Sequence, residues 1–401
     1  MAENKEKKVL NVPNLRFPEF EGEWEEHYLS DYLDFKNGLN PKPERFGKGI
    51  KFISVMDILN NAVITNDCIR ASVDVSEEEL LSFCVENGDI LFQRSSETLE
   101  DVGRANVYMD NKPAVFGGFV IRGKKKAEYD PLFFRYLLAS PFARKKIIPM
   151  GAGAQHFNIG QEGLNKVKLH FALLDEQKKI ARLLSLLDER ISTQNKIIDK
   201  LQSLIKGISN RLLYADNSMS IRIEEMLIER SERTKKNNQY EILSSTVNGI
   251  FSQRDYFSKD IASDNNVGYK ILHLHDIVLS PQNLWMGNIN FNDKFDIGIV
   301  SPSYKVFSIA DGFDKKYVAA LLKTHHALYN YMLVSEQGAS IVRRNLNYEA
   351  FEQLVFKIPS LNKQQEIGHV ISLLKSQLEN ANLLIKTYNS QKQYLLRQMF
   401  I

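Results

Sequence analysis

Cysteine is almost missing from this chain: only Cys68 and Cys84 occur in 401 residues. Two thiols build no disulfide framework, and they suit a reducing compartment. Long apolar runs are missing too, since no window approaches the roughly 18 uninterrupted apolar residues of a membrane span. The charged start Met1–Lys8 leads into Val9–Pro13 without the apolar core of a signal peptide. These absences predict a soluble cytoplasmic protein. Net charge is only +3, too small to announce a polyanionic partner. Its distribution says more. Residues 1–170 carry 23 basic and 25 acidic side chains, and residues 216–360 carry 16 and 17. The excess sits at 171–215, with 8 basic and 5 acidic, and at 361–401, with 5 and 2. A nucleic-acid reading must rest on local clusters.

Catalytic motifs are equally scarce. Gly118–Lys125 has the spacing of a phosphate-binding loop, but Lys125 stands where Ser or Thr would hold magnesium, and the run is β-like. His273-Leu274-His275 alternates as a strand would, placing both imidazoles on one face without a third metal ligand. No Asn-Pro-Pro-aromatic tetrapeptide, the signature of adenine methyltransferases, is present. No metal site and no catalytic residue are expected.

What the chain does have is itself, twice. Gln177, Ile180 and Ser185-Leu186-Leu187 recur 187 residues later as Gln364, Ile367 and Ser372-Leu373-Leu374. The register holds backwards through Gly151-Ala152/Gly338-Ala339 and Asn158/Asn345, and forwards through Asn195/Asn382 and Ser203/Ser390. Ile180, Leu184, Leu187, Ile191, Gln194, Ile198, Leu201, Ile205, Ile208 and Leu212 step by four and three without a proline. The same ten positions return as Ile367, Ile371, Leu374, Leu378, Ala381, Ile385, Tyr388, Lys392, Leu395 and Met399. Such a seam wants a partner helix along its length, and each stripe is the other's obvious partner. Asp175 and Glu176 lie in the first turn, where carboxylates favour the helix dipole. A helix of about 40 residues is roughly 60 Å long, so antiparallel pairing avoids a long return linker.

Around these helices the pattern is mixed. Ile50–Val55 and Asp89–Phe92 read as strands, echoed by Tyr240–Leu243 and His275–Leu279. Asp130-Pro131 to about Lys146 reads as one helix, echoed by Asp314–Tyr331. The expected class is α+β: two related α/β globules, residues 1–170 and 216–360, separated by a long antiparallel two-helix coiled coil of residues 171–215 and 361–401. Pseudo-two-fold symmetry follows, in a dumbbell arrangement.

Binding signals sit at equivalent places in the two globules. Gln93, Arg94, Ser95 and Ser96 follow one strand, and Gln282, Asn283 and Trp285 follow its echo. A second loop precedes each long helix, with Gln155, His156 and Asn158 in the first and Arg343, Arg344 and Asn345 in the second. Arg reads guanine bidentately in the major groove, and Asn or Gln reads adenine. Lys124, Lys125, Arg144, Lys145, Lys235 and Lys236 are candidates to neutralise phosphates, which adds affinity but no sequence information. A surface lysine run is more often a solvated face, so the argument lies in the paired placement.

At these residues the chain resembles the specificity subunit of a type I restriction-modification enzyme. The resemblance is carried by Leu174-Asp175-Glu176-Gln177-Lys178-Lys179-Ile180-Ala181, by Leu186–Ile191, and by the echo Leu361-Asn362-Lys363-Gln364-Gln365-Glu366-Ile367. Val12–Pro18 and Gly88–Phe92 support it, and it covers essentially the whole chain. Departures are the missing proline at Phe171-Ala172-Leu173 and the Lys363-Gln364 pair. The resemblance implies two target-recognition domains, each reading half of an asymmetric bipartite site in double-stranded DNA, with the coiled coil as ruler. It implies two modification subunits that bind S-adenosylmethionine and methylate adenine N6. They would dock around the helices carrying Ile180, Leu184, Leu187, Ile191, Ile198, Ile367, Ile371, Leu374, Leu378 and Ile385. It also implies two restriction subunits with ATP and magnesium, and no cofactor in this chain. A self-contained methyltransferase and a protein-only coiled-coil scaffold are the competing readings. The first would bind S-adenosylmethionine alone, and the second would show no sequence-dependent DNA affinity.

Overall fold

The computed structural model describes residues 11–213, 219–256, 265–337 and 344–401, and of residues 209–213 and 337 the backbone only. The chain forms two compact units. One gathers the described residues up to Asn195 with Leu383–Ile401; the other is Lys196–Asn382. The division therefore falls inside the long helices rather than at their ends. Asn195 and Asn382 are equivalent points of the repeat.

The first unit is built on strands β1 (Leu33–Asn37), β2 (Ile90–Gln93), β3 (Ala105–Val107) and β4 (Val120–Lys125), all antiparallel, in the order β1-β4-β2-β3. The second uses β5 (Leu227–Glu229), β6 (Ile277–Leu279), β7 (Ile289–Phe291) and β8 (Lys305–Ile309), antiparallel in the order β5-β8-β6-β7. The topology is the same. The central strands carry apolar side chains on both faces because both faces are covered. Ile90 and Phe92 join the core that includes Phe133, Phe134 and Leu137, while Leu91 joins Ile53, Tyr108 and Phe116. Ile277 and Leu279 join the core of Tyr317, Val318 and Leu321, while Val278 joins Leu243, Leu272 and Val300. Each central strand enters through a buried aspartate. Asp89 accepts from the backbone N–H of Glu86 and Lys125, and Asp276 from the N–H of His273 and the Arg230 guanidinium.

Helix α1 (Pro131–Ala139) covers the first sheet and α3 (Lys315–Leu321) the second, with the long helices α2 (Leu174–Leu213) and α4 (Leu361–Gln398) following each globule. The single helix expected from Asp130 to Lys146 is two. Ser140 caps a second helix, Pro141–Ile147, accepting from Ala143 N–H at 3.2 Å. Pro141 lacks the N–H that would continue the first helix, and its ring crowds the preceding turn. Thr324 caps His325–Leu333 in the same way. The expected His273–His275 strand also stops short: the strand ends at His273, and His275 has φ 72°, in the turn where the first unit has Gly88 at φ 93°. Its ring stacks on Phe291 at 5.7 Å.

The seam behaves as the spacing predicts. All ten of its positions in α4 are buried or half-buried, as are those in α2 up to Ile208; the side chain of Leu212 lies outside the described residues. In the first unit Ile180, Leu184 and Leu187 share a core with Leu395, Leu396 and Met399. The start of α2 thus packs on the end of α4, which is antiparallel pairing.

Candidate nucleic-acid interface

In the first unit the two loops proposed from sequence come together. Ser95–Ser96 pairs antiparallel with Phe157–Asn158, and Ile159 N–H donates to Arg94 O at 2.9 Å. The Ser95 hydroxyl donates to Asn158 Oδ1. Backbone bonds of 2.9 and 2.8 Å between Ala152 and Asn158 close the second loop on itself. A third segment, unforeseen, completes the cluster: Arg94 N–H donates to Phe119 O at 2.9 Å and Arg94 Nη1 to Gly118 O at 3.2 Å. Gln155, His156 and Asn158 are exposed, and Arg94 and Ser95 are half-buried.

The second unit repeats the arrangement with other side chains. Arg344 N–H donates to Gln282 O at 3.2 Å, joining the loop after β6 to the short strand Arg344–Leu346. The Arg344 guanidinium lies 4.7 Å over the Trp285 ring. Asn283 O accepts from the N–H groups of Met286 and Asn288, which holds the loop around Gly287 at φ 91°. Gln282 and Asn345 are exposed, and Asn283, Trp285 and Arg344 are half-buried. Arg343, Val342 and the Gly338-Ala339 repeat lie outside the described residues.

Several of the proposed contacts are turned inward instead. Gln93 is 5% exposed and donates to Ser95 O; Ser96 is buried and accepts from Thr98 N–H. Arg144 donates to Glu100 O and Val102 O at 2.9 and 2.6 Å. Burial, then the charge of Arg104, brings its pKa down to about 10. Lys124 pairs with Glu86 at 2.7 Å, and Lys125 donates to Tyr129 O while lying over the Tyr129 ring. Arg144 and Lys125 thus reach carbonyls of their own unit, whereas the Lys124–Glu86 pair lies at the surface, 41% and 60% exposed. Lys145, Lys235 and Lys236 are exposed. Among the described residues no group of three His, Cys, Asp or Glu could hold a metal, and no helix is long and apolar enough to cross a membrane.

Residues 21–203 match the model of the type I restriction modification DNA specificity domain. That stretch is similar to a type I DNA specificity domain. The chain is 27% identical over 210 residues to a Methanocaldococcus jannaschii protein assigned as the type I restriction enzyme MjaX specificity subunit, covering 51% of this chain and 49% of that one. It is 23% identical over 188 residues to the Escherichia coli K12 EcoKI specificity subunit, covering 46% and 39%. The matched stretch thus spans about half the length of these relatives or less. The fold match is wider. An S subunit from M. genitalium superposes with a TM-score of 0.61 at 14% identity, over 97% of this chain and 99% of that one. A chain from a study of type I complex assembly and conformational transition gives 0.53 at 11%, over 93% and 96%.

Beyond these loops, the long helices carry a feature that lies outside the seam. The seam residues Ile180, Leu184, Leu187, Ile198, Ile367 and Ile371 are buried, and Ile191, Leu374, Leu378 and Ile385 half-buried, so they face inward. Outward, Leu186 and Ile197 are 40% and 43% exposed, and their repeat equivalents Leu373 and Leu384 are 53% and 39% exposed. Eleven residues are about three helical turns, so each pair lies on one face. An outward apolar pair on each long helix is thus repeated at 187 residues. Its signal was legible at 186/373, but the stronger seam masked it.

Proposed function

We propose that this chain is the non-catalytic address subunit of a type I restriction-modification complex, reading a bipartite asymmetric site in double-stranded DNA. Residues 1–170 and 216–360 act as the two target-recognition domains, and the helices of 171–215 and 361–401 as ruler and docking platform. One observation carries the reading: the four-stranded sheet and the long helix repeat, while most side chains at the joined loops do not. At the repeat spacing Arg94, Ser95 and Thr98 stand where Pro281, Gln282 and Trp285 stand in the second unit, while Asn158 and Asn345 are the same. Two different sets of base-reading groups on one frame suit two different half-sites.

The duplicated outward stripe supports two copies of one partner, the modification subunit. It would bring S-adenosylmethionine and methylate adenine N6, and two restriction subunits would bring ATP and magnesium. Both globules are near-neutral, and many of their cations are engaged internally. Partner subunits then supply much of the phosphate contact. The test maps methylated adenines in DNA exposed to the complex, then repeats the mapping with residues 216–360 replaced by those of a relative. One half of the motif should change and the other should stay. A change in both halves, or in neither, overturns the reading.

A further inference from the structure

Phe119 is the most exposed aromatic side chain among the described residues, at 67%. Burying a benzyl group is worth about 2 kcal/mol, so leaving one in water needs a reason. Nor does the ring sit on a loose loop. Phe119 O accepts from Arg94 N–H, Gly118 O accepts from Arg94 Nη1, and Val120 N–H donates to Gly117 O at 2.8 Å. A Cβ on Gly118 would meet Asn40 Oδ1 at 1.9 Å, and one on Gly117 would meet the Phe52 ring at 2.6 Å. The backbone at 117–119 is therefore seated against its surroundings, and it holds the ring outward on a segment bonded to Arg94. A cleft of about 380 Å³, lined by Phe46, Phe52 and Met56 among others, opens at its side.

The second unit has no such ring. Ile90 pairs with Gly123 and Ile277 with Phe307. Four residues back along each strand stand Phe119 in one unit and Ser303 in the other, so the feature belongs to one half of the frame.

We infer that Phe119 is a specificity-determining residue of the first unit, packing on the 5-methyl group of a thymine in the half-site that this unit reads. Apolar contact with that methyl distinguishes an A·T pair in the major groove without a hydrogen bond, and phenylalanine is among the side chains that make it. Arg94, bonded to the same segment, would read the neighbouring pair. This inference rests on the DNA-address reading and assigns one position within it.

The test uses the full chain with its modification subunit, on the half-site mapped for the wild-type complex. Each thymine of that half-site is replaced in turn by uracil, which removes only the methyl group. For one position, wild-type complex should bind the uracil duplex about four-fold less tightly, and Phe119→Ala should bind thymine and uracil duplexes alike. Phe119→Leu, still apolar, should retain part of the preference, and the other half-site should respond to neither variant. Equal thymine preference in wild type and Phe119→Ala overturns the inference, as does a loss spread over both half-sites. A wild-type complex that does not discriminate among sequences would instead sink the DNA-address reading itself.

Discussion

Lys392 Nζ donates to Asp188 Oδ1 at 2.5 Å, across 204 residues of sequence, joining the end of α4 to the start of α2. Arg135 Nη1 and the Tyr136 hydroxyl reach the other carboxylate oxygen at 3.1 and 2.8 Å. The two sides of the pair are only 15% and 21% exposed. Nothing like it recurs at the repeat equivalents, where Lys375 replaces Asp188 and Ile205 replaces Lys392. The seam is symmetric in its apolar steps but not in its polar ones, and a polar seam contact selects register.

Lys392→Met should destabilise the first unit by about 2–3 kcal/mol, because it leaves a largely buried carboxylate with fewer partners. Burial pushes the Asp188 pKa up, but the Lys392 bond and charge together with Arg135 outweigh it and hold the group below the usual carboxylate range. Its stabilisation is therefore full above the unfolded value of about 3.9, and it fades as pH falls through the lower folded value. Thermal melts from neutral pH to about pH 2 should show this loss in the wild type and a shallower acid dependence in Lys392→Met. Superimposable profiles would remove the pair from the account.

Gln177 and Gln364 do the same job in the two units. Gln177 Oε1 accepts from Asp130 N–H at 3.0 Å and its Nε2 donates to Ala172 O at 2.8 Å. Gln364 accepts from Asp314 N–H at 3.1 Å and donates to Pro359 O at 2.9 Å. Each clamps the start of a sheet-covering helix to the start of a long one, from a site at most 3% exposed. Replacing either by Leu strands two backbone groups, at about 1–3 kcal/mol. Amide exchange should accelerate around Asp130 in Gln177→Leu and around Asp314 in Gln364→Leu. Uniform acceleration in both variants would mean that the clamps are not local.

The outward stripe makes a stoichiometric prediction. Leu186→Lys or Leu373→Lys places a charge on an already exposed position, so folding should change by less than about 0.5 kcal/mol. Each single variant should hold one modification subunit where the wild type holds two, and the double variant none, as read by mass of the assembled complex. Retention of both copies in the double variant would place docking elsewhere.

Periodicity made the frame legible. A seam that steps by four and three, repeated at one spacing, leaves little freedom: each position must face an apolar partner or lose its burial. The four-strand sheets were visible only in part, because short buried strands such as Ile277–Leu279 carry too few residues for a period. That these loops meet was legible in position but not in detail. The two loops of each unit were identified, but which side chains face outward depends on partners far off in sequence. Arg144 is spent on Glu100 and Val102, and Phe119 stands exposed because Arg94 and Asn40 seat the backbone around it.

Glu176 shows where the boundary runs. In the sequence it is one of two carboxylates in a first helical turn, suited to the dipole. In the fold it is fully buried, accepting from Arg16 at 2.8 Å on each oxygen and from the Trp24 indole at 3.2 Å. Its repeat equivalent, Lys363, is exposed. Local physics, namely period, capping and duplication, acts within a few turns of chain and is written there. Burial and pairing of single polar groups are settled by contacts far apart in sequence, 152 and 160 residues for Glu176, and those exist only once the chain has folded.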